Sequence, residues 1–239
     1  MVSVSPRCQQ SLPIAQLKVH KRCPLPVKSF IGRKEILDKM CQYFDNGHNG
    51  QHVFVLHGLG GSGKSQLAFK FLDNSITDHR YDSFKHIKSV SDYSYITSRF
   101  SDIFYIDATT QQTLEADLIA IAPAIVEQSV AACHQWLASQ HEQNWLLFFD
   151  NADNVQLNIA TFFPKCKFGN ILVTTRNPQL RIHAGEDADA KVADMNPEDA
   201  KCLLMQMSRA NKSEENEKLA ILIVKVSLLV SSFVYLSPI

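Results

Sequence analysis

Eight consecutive residues, Gly58-Leu59-Gly60-Gly61-Ser62-Gly63-Lys64-Ser65, fit the pattern G-x-x-x-x-G-K-[ST] and constrain this chain more than any other stretch. The flanks agree with what the pattern requires. Val53-Phe54-Val55-Leu56 is short, apolar and β-rich, as a buried parallel strand is, and Gln66 to Leu72 has helical spacing. Strand, glycine loop and helix form a phosphate cradle, because backbone N–H groups must close around oxygens and residues without a Cβ permit that approach. Gly58, Gly60, Gly61, Ser62, Gly63 and Gln66 are read as the cradle, Lys64 as the charge on the β and γ phosphates, and Ser65 as a hydroxyl ligand to Mg²⁺. The helix that opens there aims its positive dipole end at the anion.

A second signal lies at Trp145-Leu146-Leu147-Phe148-Phe149-Asp150. An unbroken apolar run ending in a carboxylate describes a buried strand that delivers one acid to the C-terminal edge of a sheet, a Walker B pattern. Asp150 is expected to hold Mg²⁺, directly or through water, beside Ser65. Asn151 follows, where many ATPases carry a second acid to polarise the attacking water. An amide cannot act as that base. Asp153 is the nearest substitute, and slow or absent hydrolysis is expected. Gly169 to Arg176 reads as a further buried strand, ending in Thr174, Thr175 and an arginine.

With 24 basic and 24 acidic residues the chain is formally neutral, so no global field points to a nucleic acid. The six cysteines are scattered without zinc spacing and are expected to be reduced thiols of a cytoplasmic protein. No charged segment leading into an apolar run opens the chain, so no secretory leader is expected. Residues 1–28 hold four prolines and a basic cluster, which predicts a mobile basic arm.

Phe30, Ile31, Gly32 and Arg33 lead into a helix with Ile36, Leu37, Met40 and Phe44 on one face. Together with the glycine loop, the Asp150 strand and the Arg176 strand, this resembles the hhGR motif and ordered motifs of the NB-ARC domain in STAND P-loop NTPases. The resemblance covers residues 29 to about 225. It implies an α/β P-loop NTPase fold with a parallel sheet flanked by helices, then a partial helical subdomain. It also implies that Phe30, Ile31 and Gly32 lie against an adenine, and that Arg176 is a sensor near the γ phosphate. The ligand implied is ADP or ATP with Mg²⁺. The activity implied is a nucleotide switch that governs homo-oligomerisation or other signalling contacts, with weak hydrolysis. A stand-alone ATPase or kinase, or a truncated fragment that does not switch, is the alternative.

The expected organisation is a nucleotide-binding domain over 29–195, with 81–98 as an insertion, and the start of a helical subdomain over 196–225. Ile103 to Asp107 and Lys191 to Met195 are read as strands, and Val126 to Ser139 as a helix. Residues 226–239 form an apolar tail outside the resemblance. Readthrough into an intron would explain both that tail and 81–98, since Val-Ser is what a splice-donor sequence encodes in one frame. A membrane anchor over Leu219 to Leu236 is disfavoured by Lys225 inside it.

Overall fold

The computed structural model describes residues 21–45, 50–76, 99–122, 128–140, 144–209 and 211–236, with 228–236 described by backbone alone. The segment 81–98 lies outside these residues. Five strands, β1 (His52–His57), β2 (Ile103–Asp107), β3 (Leu146–Asp150), β4 (Asn170–Thr175) and β5 (Asp189–Lys191), form one sheet. Their order is β2-β3-β4-β1-β5, and every pairing is parallel. After β1 the chain crosses two strand positions to reach β2, and a crevice opens beyond the carboxyl ends of the central strands, where such sheets bind ligands.

Helices cover both faces, so the middles of the central strands are apolar. On β1, Val53 and Val55 point into one core with Leu114 and Leu118 of α3 (Gln111–Ile121) and Leu137 of α4 (Val130–Ala138). Phe54 and Leu56 point into the other, with Met40 and Phe44 of α1 (Lys34–Asp45) and Leu67 and Phe71 of α2 (Lys64–Ile76). The alternation is the two-residue period of a strand. Phe148 is fully buried in this second core and meets Phe69 and Tyr105 edge to face. Burying each such side chain contributes about 1.5–3 kcal/mol.

Local chemistry sets the element ends. Thr110 and Thr113 close a capping box on α3, and Ala122 after it is extended (φ −70°, ψ 144°), as the residue before Pro123 tends to be. Asn196 caps α5 (Pro197–Ser208), with Pro197 in its first turn.

Several expectations need correction. The last strand is Asp189–Lys191, earlier than the expected 191–195, because it pairs with Val55–His57 at the end of β1. Val192 then donates its N–H to the His57 carbonyl at 2.7 Å and ends the pairing. The helix expected from Val126 is described from Val130, after a Ser129 cap. α6 (Glu214–Leu236) continues without a break into residues 226–236 of the expected apolar tail. Its Ala220 and Val224 are buried, while Leu219, Leu222 and Val226 are exposed. Among the described residues no helix is long and apolar enough to cross a membrane. Of the expected arm, residues 21–28 are described. Lys21 pairs with Asp107 and Asp117 at 3.5 and 3.3 Å, and the Val27 N–H donates to Gln66 Oε1 at 2.9 Å.

Candidate nucleotide site

The loop between β1 and α2 closes into a cradle because its glycines take backbone angles other residues resist. Gly63 lies at φ +89°, in the left-handed region. Gly58 approaches the Val192 carbonyl so closely that a Cβ would collide with it. Lys64 Nζ donates to the carbonyls of Gly58 and Leu59 at 2.9 and 2.7 Å, and burial lowers its pKa. The buried Ser62 hydroxyl has no hydrogen-bond partner among the described residues. An orphaned buried donor inside a ring of backbone amides fits an incoming phosphate oxygen. A cavity of about 450 Å³ opens here, lined by Gly60, Gly61, Gly63, Lys64, Ser65, Gln66, Asn151, Asp153 and Arg176.

Asp150 ends β3 beside the loop, with only 3% of its surface exposed. Three hydroxyls donate to it. Ser65 and Thr174 reach Oδ1 at 2.7 and 2.5 Å, and Tyr105 reaches Oδ2 at 3.2 Å. Thr174 also accepts the Asn151 N–H at 3.0 Å, which holds Asn151 in the left-handed region (φ +60°). Among the described residues Asp150 forms no ion pair, and the side chains that donate to its carboxylate are all hydroxyls. A hard cation suits such an all-oxygen donor set. No cluster of three or more His, Cys, Asp or Glu ligands occurs among the described residues, so a cation here would complete its shell with phosphate and water oxygens.

Asp153 and Arg176 face the cavity as a pair. The Arg176 N–H donates to Asp153 Oδ1 at 2.6 Å and its Nε donates to Oδ2 at 2.5 Å. Both carboxylate oxygens of the candidate base are therefore engaged by the candidate sensor. Thr175 ties the same corner by donating to the Ala152 carbonyl at 2.6 Å.

Phe30, Ile31, Gly32 and Arg33 are not among the residues that line the cavity. Phe30 packs against the core under α1 and α2. Gly32 and Arg33 are both left-handed (φ +77° and +62°), and the Asp199 carboxylate of α5 occupies the place a Gly32 Cβ would take. The Arg33 guanidinium donates to the carbonyls of Ala193 at 2.6 Å, and of Asp194 and Ser62 at 3.3 Å each. It binds the loop to the segment between β5 and α5.

The NB-ARC domain family matches residues 33–214, about three quarters of the chain. The chain belongs to the NB-ARC family. It is thus a nucleotide-binding domain of the P-loop NTPase type, and Mg²⁺ and nucleotide binding are general to that class. The matched span begins at Arg33, just after Phe30, Ile31 and Gly32. Among solved structures, CDC6P from Pyrobaculum aerophilum aligns with a TM-score of 0.51 at 11% identity, over 83% of this chain and 56% of that one. The structure of Drosophila ORC bound to DNA aligns with a TM-score of 0.50 at 12% identity, over 94% of this chain and 60% of that one. A STAND protein with a tetratricopeptide repeat sensor from Pyrococcus horikoshii aligns at 19% identity and a TM-score of 0.44, over 87% of this chain. This NB-ARC chain spans 29% of that STAND protein's length. At these identities the likeness concerns the fold. No curated protein gave a significant sequence match.

Tyr105 is the site residue that motif reading misses in this NB-ARC chain. Within Ile103–Asp107 it looks like any strand aromatic, and only the parallel register against β3 brings its hydroxyl to Asp150. The arginine clamp is also a long-range contact, from residue 33 to residues 193 and 194.

Proposed function

We propose that this domain is an ADP/ATP switch of the STAND type, in which the bound nucleotide, rather than its turnover, carries the signal. One observation carries the reading: Lys64, Ser65, Asn151, Asp153 and Arg176, drawn from three separate strand ends, converge on a single cavity. Lys64 and the loop amides would hold the β phosphate. Ser65 and Asp150 would hold Mg²⁺, which when bound offsets phosphate charge. Arg176 lines the cavity and is held by Asp153, so in this reading a γ phosphate would compete with that carboxylate for the guanidinium. That exchange is a local electrostatic event that distinguishes ATP from ADP. Asn151 lacks a proton-accepting carboxylate and Asp153 is occupied, which supports weak hydrolysis over an efficient enzyme. Control of oligomerisation and of signalling partners belongs to the same proposal, by the family resemblance.

Calorimetric titration of the full chain with Mg·ADP and Mg·ATP, beside Lys64→Ala, tests it. Saturable binding that disappears in the variant is expected. A folded wild-type chain that binds neither nucleotide refutes the proposal, and rapid turnover lost in Asp153→Ala would favour the enzyme instead.

A further inference from the structure

We infer that Tyr105 is a positioning residue for the metal side of the site, holding the Asp150 carboxylate in the orientation that Mg²⁺ requires. The inference rests on the nucleotide reading above. Asp150 divides its contacts unevenly: Oδ1 receives both Ser65 and Thr174, while Oδ2 receives Tyr105 alone. A carboxylate turns easily about its last side-chain bond, where the rotamer preference is broad. The Tyr105 hydroxyl pins the far oxygen, so the near oxygen stays against Ser65, where a cation shared with that hydroxyl would lie. Partners of this kind orient ligands at metal sites, and their removal typically costs ten- to a hundredfold in affinity.

The geometry of the strands explains why this residue can do it. Tyr105 lies opposite Phe148, and Asp107 opposite Asp150, so Tyr105 and Asp150 are diagonal neighbours within reach of a long aromatic side chain. The ring itself is fixed. It is 9% exposed, with the rings of Phe148 and Phe69 at 5.7 and 6.2 Å, and Lys21 Nζ stands 5.0 Å from its centroid. A cation this close to the ring is attracted to it and helps hold the ring in place.

Titration of the full chain with ADP, in EDTA and in saturating Mg²⁺, tests this with Tyr105→Phe, which keeps the ring and removes only the hydroxyl. ADP affinity in EDTA should change less than about twofold, while the gain conferred by Mg²⁺ should shrink about tenfold. Lys21→Met provides a second arm if Tyr105→Phe folds poorly, with a two- to threefold loss of the Mg²⁺ gain expected. An Mg²⁺ gain equal to wild type in both variants overturns the inference, as does an equal loss of ADP affinity with and without Mg²⁺. A folded wild-type chain that binds no ADP overturns the nucleotide reading itself, and this inference with it.

Discussion

Asp150→Asn separates the stability of the fold from the chemistry of the site. The substitution preserves shape and removes a charge that is 97% shielded from solvent and has no ion-pair partner among the described residues. Burying that charge costs several kcal/mol, and this is offset by three hydroxyl bonds that are stronger to a carboxylate than to an amide. The two effects nearly cancel, so the ligand-free variant should lie within about 2 kcal/mol of wild type. The ligand-bound protein behaves differently. On the proposed reading, ADP at a hundred times its dissociation constant should stabilise the wild type by about 2.7 kcal/mol. For a domain of this size that raises Tm by about 5–10 °C. In the variant, the part of that rise that depends on Mg²⁺ should vanish. Thermal melts with ADP in EDTA and in Mg²⁺ read both numbers. A variant that keeps the full Mg²⁺-dependent rise would refute the assignment of Asp150 as a metal ligand.

Two further outcomes bear on the fold. Gly169→Ala places a Cβ into the buried Trp145 ring at φ +88°, and should lower unfolding free energy by about 2–4 kcal/mol in urea titration. Burial pushes the Cys133 thiol up to about 12. The unfolded chain therefore releases this proton first, and stability should be intact below about pH 9 and fall between there and about pH 12, by about 1.4 kcal/mol per unit. Cys133→Ala should flatten the slope in pH-dependent unfolding.

The central strands and the glycine loop were legible because each is a local pattern. Val53 to Leu56, Leu146 to Phe149 and Ile171 to Val173 are apolar runs that suit a sheet covered on both faces, and all three lie in strands. Ser65 and Asp150 could be paired in advance by their motifs, and they stand 2.7 Å apart. What escaped depends on partners distant in sequence. The edge strand falls at 189–191 because its hydrogen bonds go to β1, and nothing in Lys191 to Met195 reveals that register. Tyr105 reads as core, and its hydroxyl gains meaning only once β2 lies against β3. The engagement of Asp153 by Arg176 joins two strand ends that composition cannot place side by side.

The Arg33 guanidinium ends where two chain segments meet, at the carbonyls of Ser62 on one and of Ala193 and Asp194 on the other. A rigid fork spanning a phosphate loop and the root of a helix acts as a mechanical linkage. Any movement of the approach to α5 that displaces Ala193 and Asp194 must break these hydrogen bonds or carry the Arg33 side chain with it. One side chain thus fastens the glycine loop to the root of the next helix.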